Sequence, residues 1–155
     1  MLLLLCIYQN VLSANSSDKS IIADSYSSPG GLNFYSGHSY SKQNESFLLG
    51  TNMTLMLINF GGEYQLNQLA HQHDFRYYAG VGALSLLQIQ HGWGRNGNSW
   101  RLRSELPILK TPFNKTEKVE LLRRSTFTLN FSIERFNNDI DKMNHYGIGF
   151  GIKFF

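Results

Sequence analysis

Cysteine is almost absent from this sequence. Cys6 is the one thiol in 155 residues, which excludes a disulfide framework and a zinc site built on several thiolates. Proline is scarce, with 3 residues. Charge is thin: Asp, Glu, Lys and Arg make up 16% of the chain, against roughly 25% in ordinary soluble domains. The net charge is +3 and the basic residues are scattered, with Arg101/Arg103 and Arg123/Arg124 as local pairs. A nucleic-acid partner calls for a denser basic patch. No apolar run approaches the roughly 20 residues that a membrane-spanning helix needs, and no convincing helical period appears. What the chain has in quantity is aromatic residues, 14%, and 14 glycines, within a hydrophobic content of 42%. That content suffices for one packed domain and excludes wholesale disorder.

The N-terminal residues 1–14, MLLLLCIYQNVLSA, combine a short apolar run with a small residue at Ala14. They are read as a signal peptide cleaved after Ala14. Residues 15–29 are rich in Ser and Asp and run into Ser28-Pro29-Gly30-Gly31. They are expected to be a linker or a short first strand near 21–26. Residues 30–155 are expected to form the folded domain.

Beyond Gly30 the dominant period is two, the period of strands. The clearest strand covers 75–93. Phe75, Tyr77, Ala79, Val81, Leu87, Ile89, His91 and Trp93 share one parity, whereas Arg76, Tyr78, Gly80, Gly82, Gln88, Gln90 and Gly92 share the other. Asn96-Gly97 then signals a hairpin turn. In 99–108, Trp100, Leu102, Leu106 and Ile108 lie on one face, and Arg101, Arg103 and Glu105 on the other. An arginine facing lipid near the midplane costs about 2–4 kcal/mol, so the charged face looks inward or to water. Strands are also expected at 32–40, 47–66, 124–136 and 145–155. In 47–66 the apolar parity slips near Leu57/Ile58, which a β-bulge or Gly61-Gly62 would explain. These make six strands. Two more are expected from 21–26, from a division of 47–66, or from 118–122.

Two architectures satisfy strands with one apolar and one polar face. A soluble sandwich or barrel puts the apolar face inside. A transmembrane barrel turns it to lipid and packs the polar face into a lumen. The polar faces here hold much Gly and Gln, which suit a narrow lumen, and aromatics at strand ends suit interfacial girdles. At its C-terminus, Tyr146-Gly-Ile-Gly-Phe-Gly-Ile-Lys-Phe-Phe155, the chain resembles the small outer-membrane β-barrel proteins of Gram-negative bacteria. The resemblance implies an all-β, antiparallel up-and-down β-barrel of about eight strands that is transmembrane. It also implies an outer-membrane location, with the lipid bilayer, lipopolysaccharide and the barrel-assembly machinery as partners. Phe150, Ile152, Phe154 and Phe155 look like the family's assembly signal, with the alternating apolar series ending on Phe154, one step before the last residue. Tyr77, Trp93, Trp100 and Tyr146 are the expected aromatic girdle. Arg101, Arg103, Glu105 and Glu134 are the expected polar network of the lumen, because enclosed charges need partners. The alternative location is secreted or periplasmic.

Chemistry is sparser. Lipid A deacylases of the outer membrane are small barrels that carry a His-x-Ser motif. The corresponding triplet here is His91-Gly92-Trp93, without the serine. His71-Gln72-His73 has metal-ligand spacing for a strand but reads better as a polar turn. Gly80-x-Gly82 and Gly92-x-Gly94 lack the helix start of a phosphate loop. Asn15, Asn44, Asn52, Asn114 and Asn130 each begin an Asn-x-Ser/Thr match, a pattern that Asn- and Ser-rich chains generate freely. No cofactor and no metal are expected. The role expected is structural or surface-interacting rather than catalytic. The alternatives are a soluble barrel that binds an apolar ligand, or a lipid-modifying enzyme.

Overall fold

A computed structural model describes residues 30–42, 44–67, 72–83, 86–95, 97–111, 124–137 and 144–155. They form β1 (Gly30–Tyr40), β2 (Glu45–Leu55), β3 (Ile58–Asn67), β4 (Gln72–Ala83), β5 (Leu87–Gly94), β6 (Gly97–Lys110), β7 (Ser125–Phe136) and β8 (Asn144–Phe154). Each strand pairs antiparallel with the next, and β8 pairs with β1. The sheet is therefore a closed up-and-down barrel of eight strands. The expected signal peptide, the linker and the strands at 21–26 and 118–122 lie outside the described residues, and the eight strands are reached without them.

Two segments expected as single strands are hairpins. In 47–66, Leu55 pairs with Ile58 across Met56 and Leu57, and Met56 takes a left-handed φ of 54°. An odd residue thus faces an even one, so outward parity flips from odd in β2 to even in β3. The parity slip is this turn, and not a bulge. In 75–93, Ala83 pairs with Leu87. Both are odd, so the alternation passes through the connection unbroken and the turn leaves no mark on the pattern. A register shift does occur in β6, between Pro107 and Leu109. A proline, which has no N–H for the ladder, fits such a break. At the β5–β6 turn Gly94 pairs with Gly97, whose φ of 97° favours glycine over any L side chain.

Register sets the barrel's dimensions. Partner residues lead from Gly30 through Leu55, Ile58, Val81, Ile89, Leu102, Ile133 and Tyr146 back to Tyr40, ten residues further along β1. With ordinary strand rise and spacing, that stagger over eight strands implies a tilt of about 40° and a wall about 25 Å tall. After the starting glycine, every residue on this path is exposed and apolar or aromatic. Gly30, Leu55, Ile58, Ala83, Leu87, Lys110, Ser125 and Phe154 share one end of the barrel, and Tyr40, Glu45, Asn67, Gln72, Gly94, Gly97, Phe136 and Asn144 share the other.

Close packing of strands depends on glycine at particular positions. A Cβ on Gly37 would collide with the carbonyl oxygen of Ile148 at the β1–β8 seam, and one on Gly80 with that of Ile89 between β4 and β5. Both obstacles are backbone, so no side-chain movement relieves them.

Candidate functional site

The barrel is inverted relative to a soluble protein. The fully buried large side chains are Arg76, Lys153, Gln88, Gln90, Glu63 and Glu105, joined by Asn and Thr. The exposed large side chains are Leu, Ile, Phe, Val, Tyr and Trp from all eight strands. Strand alternation makes this division. Within β6, Ser99, Arg101, Arg103 and Glu105 face inward while Trp100 and Leu102 face outward.

The enclosed charges balance. Four buried carboxylates, Glu63, Asp74, Glu105 and Glu134, share the lumen with four buried cations, Arg76, Arg101, Arg103 and Lys153. Seven of them are arranged in two clusters. In the upper one, the Arg101 guanidinium donates to both oxygens of Glu63 at 2.9 and 2.6 Å and to Glu134 Oε2 at 2.8 Å. Such forked, charge-assisted contacts are the strong class of hydrogen bond. The Tyr78 hydroxyl accepts from Arg101 at 2.6 Å and from Arg76 at 3.2 Å, and donates to Glu134 at 3.2 Å. Arg76 further donates to Ser99 Oγ at 2.8 Å and pairs with Asp74 at 3.3 Å, while the Ser99 hydroxyl bonds to Glu134.

The second cluster is lower in the lumen. Arg103 donates to Glu105 at 3.1 Å and to Asn130 at 3.0 Å, and Asn52 donates to Glu105 at 2.7 Å. Tyr35 joins the clusters: its ring lies 3.8 Å under the Arg103 guanidinium, and its hydroxyl donates to Glu63 at 2.7 Å. The equivalent stack of Arg101 on Tyr78 is 3.7 Å. Two arginine–tyrosine stacks thus cross the lumen, cation over ring. Alongside them Gln90 bridges Asn52 and Asn59 at 3.0 and 2.8 Å, and Asn33 bonds Asn130 at 2.8 Å. A cavity of about 10 Å³ beside Tyr35, Glu63, Arg103 and Asn130 has room for roughly one water molecule.

Of the four residues expected to make the lumen network, Arg101 and Glu134 lie in the upper cluster, and Arg103 and Glu105 in the lower. Sequence reasoning missed Glu63, Arg76, Asp74, Tyr35 and Tyr78 as members, and the burial of Lys153 in the lumen. Arg76 and Tyr78 were visible on the polar face of 75–93. Glu63 was hidden by the parity flip at the β2–β3 turn.

The four expected girdle residues, Tyr77, Trp93, Trp100 and Tyr146, all face outward and are exposed. They do not mark two ends of the barrel. The hairpin folds 75–93 back on itself and makes Tyr77 and Trp93 direct partners. With Tyr40 and Tyr64 they fall within about 6 Å of one another along the axis, on the side away from the start of β1 and the end of β8. The opposite rim exposes Leu55, Met56, Leu57, Ile58 and Leu109. In β8, Phe150 is exposed and shares its outward parity with Ile152 and Phe154, and the Phe155 amide donates to the Arg124 carbonyl at 3.1 Å.

His91 faces outward, 4.6 Å from Trp93 and 4.9 Å from Trp100. Glu105 is on the other side of the wall, in the lumen. His73 lies at the start of β4, stacked 6.3 Å from Tyr64, while His71 is outside the described residues. Among the described residues no three His, Cys, Asp or Glu groups are placed to hold a metal ion. No family model, curated protein or solved structure matches this chain.

Proposed function

We propose that this protein is a small integral outer-membrane β-barrel of the Gram-negative type, with a filled lumen and a structural or surface-interacting role. One observation carries the reading: apolar and aromatic side chains cover the outer wall of every strand while four carboxylates and four cations are enclosed. In water that distribution exposes a very large apolar surface, whereas in a bilayer it meets both solvents. The wall height of about 25 Å matches the apolar band of such barrels, and a belt of Tyr and Trp at one level suits an interface. The surrounding partners are then the bilayer, lipopolysaccharide, and the assembly machinery that reads the C-terminal strand. A soluble barrel around an apolar ligand calls for an apolar interior, and the side chains enclosed here are Arg, Glu, Asn, Gln and Thr.

The test is a carbonate wash of membranes followed by gel electrophoresis in mild detergent with and without boiling. The protein is expected to stay with the membrane and to change mobility on boiling. Release into the wash with unchanged mobility would overturn the reading.

A further inference from the structure

The outer wall of the described strands carries few charges, and among the described residues Arg135 lacks an ion-pair partner. Glu45, at the start of β2, lies with a carboxylate oxygen 3.2 Å from His38 Nδ1. Arg135 in β7 is exposed and has no carboxylate at ion-pair distance among the described residues. Its register partners are Trp100 on β6 and Asn144 on β8. Tyr146 lies diagonally across from it, opposite Ile133. Direct partners on one face stand about 4.5–5.5 Å apart and diagonal ones about 7–8 Å. A guanidinium therefore sits between an indole and a phenol at the level of the aromatic belt. Beneath it along the same face run Ile133, Phe131, Leu102 and Ile148, all exposed and apolar.

We propose that this face of β6, β7 and β8 holds an anionic membrane lipid, with Arg135 contacting the phosphate of its headgroup. Trp100 and Tyr146 flank the headgroup, and the acyl chains lie on the apolar column below. The inference rests on the membrane reading above. A phosphate ester takes two or more donors from a planar guanidinium, and an amphipathic belt places that guanidinium where headgroups are. A free phosphate has no use for the apolar column, so the lipid is the occupant that both halves of the site fit.

The protein supplies its own probe, because, of its two tryptophans, Trp100 stands at this site and Trp93 lies on the adjacent strand β5. The folded protein is reconstituted in zwitterionic phosphatidylcholine vesicles containing a fixed fraction of brominated lipid, either zwitterionic or anionic phosphatidylglycerol, and tryptophan quenching is compared. The anionic lipid is expected to be enriched at the tryptophans by about fivefold, the factor corresponding to the roughly 1 kcal/mol that a basic side chain gains near an anionic surface. Arg135→Gln should abolish the preference while retaining the mobility change on boiling. Arg95→Gln, which removes an exposed turn cation, should leave the preference intact. Added inorganic phosphate should not alter it.

Equal quenching by the two lipids in the unaltered protein would overturn the site and leave the membrane reading standing. Equal loss in both variants would assign the preference to net charge and overturn the site. Displacement by inorganic phosphate would overturn the lipid as occupant. Absence of quenching by either lipid would overturn the membrane reading, and the site with it.

Discussion

Glu134 accepts from Arg101, Ser99 and Tyr78 and lies 3.3 Å from Arg76 Nε. Removal of one member of such a group leaves buried cations uncompensated, at about 3–5 kcal/mol. Glu134→Ala is therefore expected to lower the urea midpoint of the detergent-solubilised protein by that equivalent, followed by loss of the fast-migrating form on unboiled gels. A variant as stable as the parent would show that the cluster contributes nothing to the fold. At this scale the sequence is informative about facing and silent about partners. Alternation puts Arg101, Arg103 and Glu105 on one face, and the cost of arginine in lipid chooses that face's surroundings. Arg101 meets Glu63 across a separation of 38 residues, which no local pattern encodes.

Among the elements, the hairpins were the hardest to read. The β2–β3 turn flips parity and so betrays itself as an irregularity at Leu57 and Ile58. The β4–β5 turn joins Ala83 to Leu87 without a flip, and apolar residues continue through it, so 75–93 resembles one long strand with aromatics at both ends. Those ends are neighbours. Glycine matters at the same scale. Gly80→Ala is expected to cost about 1–3 kcal/mol, the usual penalty of overpacking, because the Ile89 carbonyl blocks its Cβ. Gly62→Ala is expected to cost little, since the nearest atom there is the tip of the Phe75 ring at 3.0 Å. Urea titration of both variants by gel mobility checks this, and equal effects would show that strand approach is not what glycine serves at position 80.

For the whole molecule, eight strands enclose a space that side chains can fill, and two arginine–tyrosine stacks cross it. A barrel of about eight strands is expected to have a filled lumen, and the enclosed Arg, Glu, Asn, Gln and Thr side chains occupy it. The barrel reconstituted in a planar bilayer is expected to carry no stepwise ionic current. Steady conductance would mean that the stacks part and that the lumen serves as a path.

Alternation of apolar and polar residues is a local property, and it determined by itself that the chain is all-β, that each strand has two unlike faces, and which residues share a face. The tertiary structure decided how many strands those segments make, the ten-residue stagger of their closure and the pairing of the enclosed groups. The reason is distance along the chain. Asn33 meets Asn130 across 97 residues, and the closing contact of β1 with β8 joins the two ends of the described barrel. Such pairings follow from the circumference and tilt of the closed sheet, which exist only when all eight strands are in place.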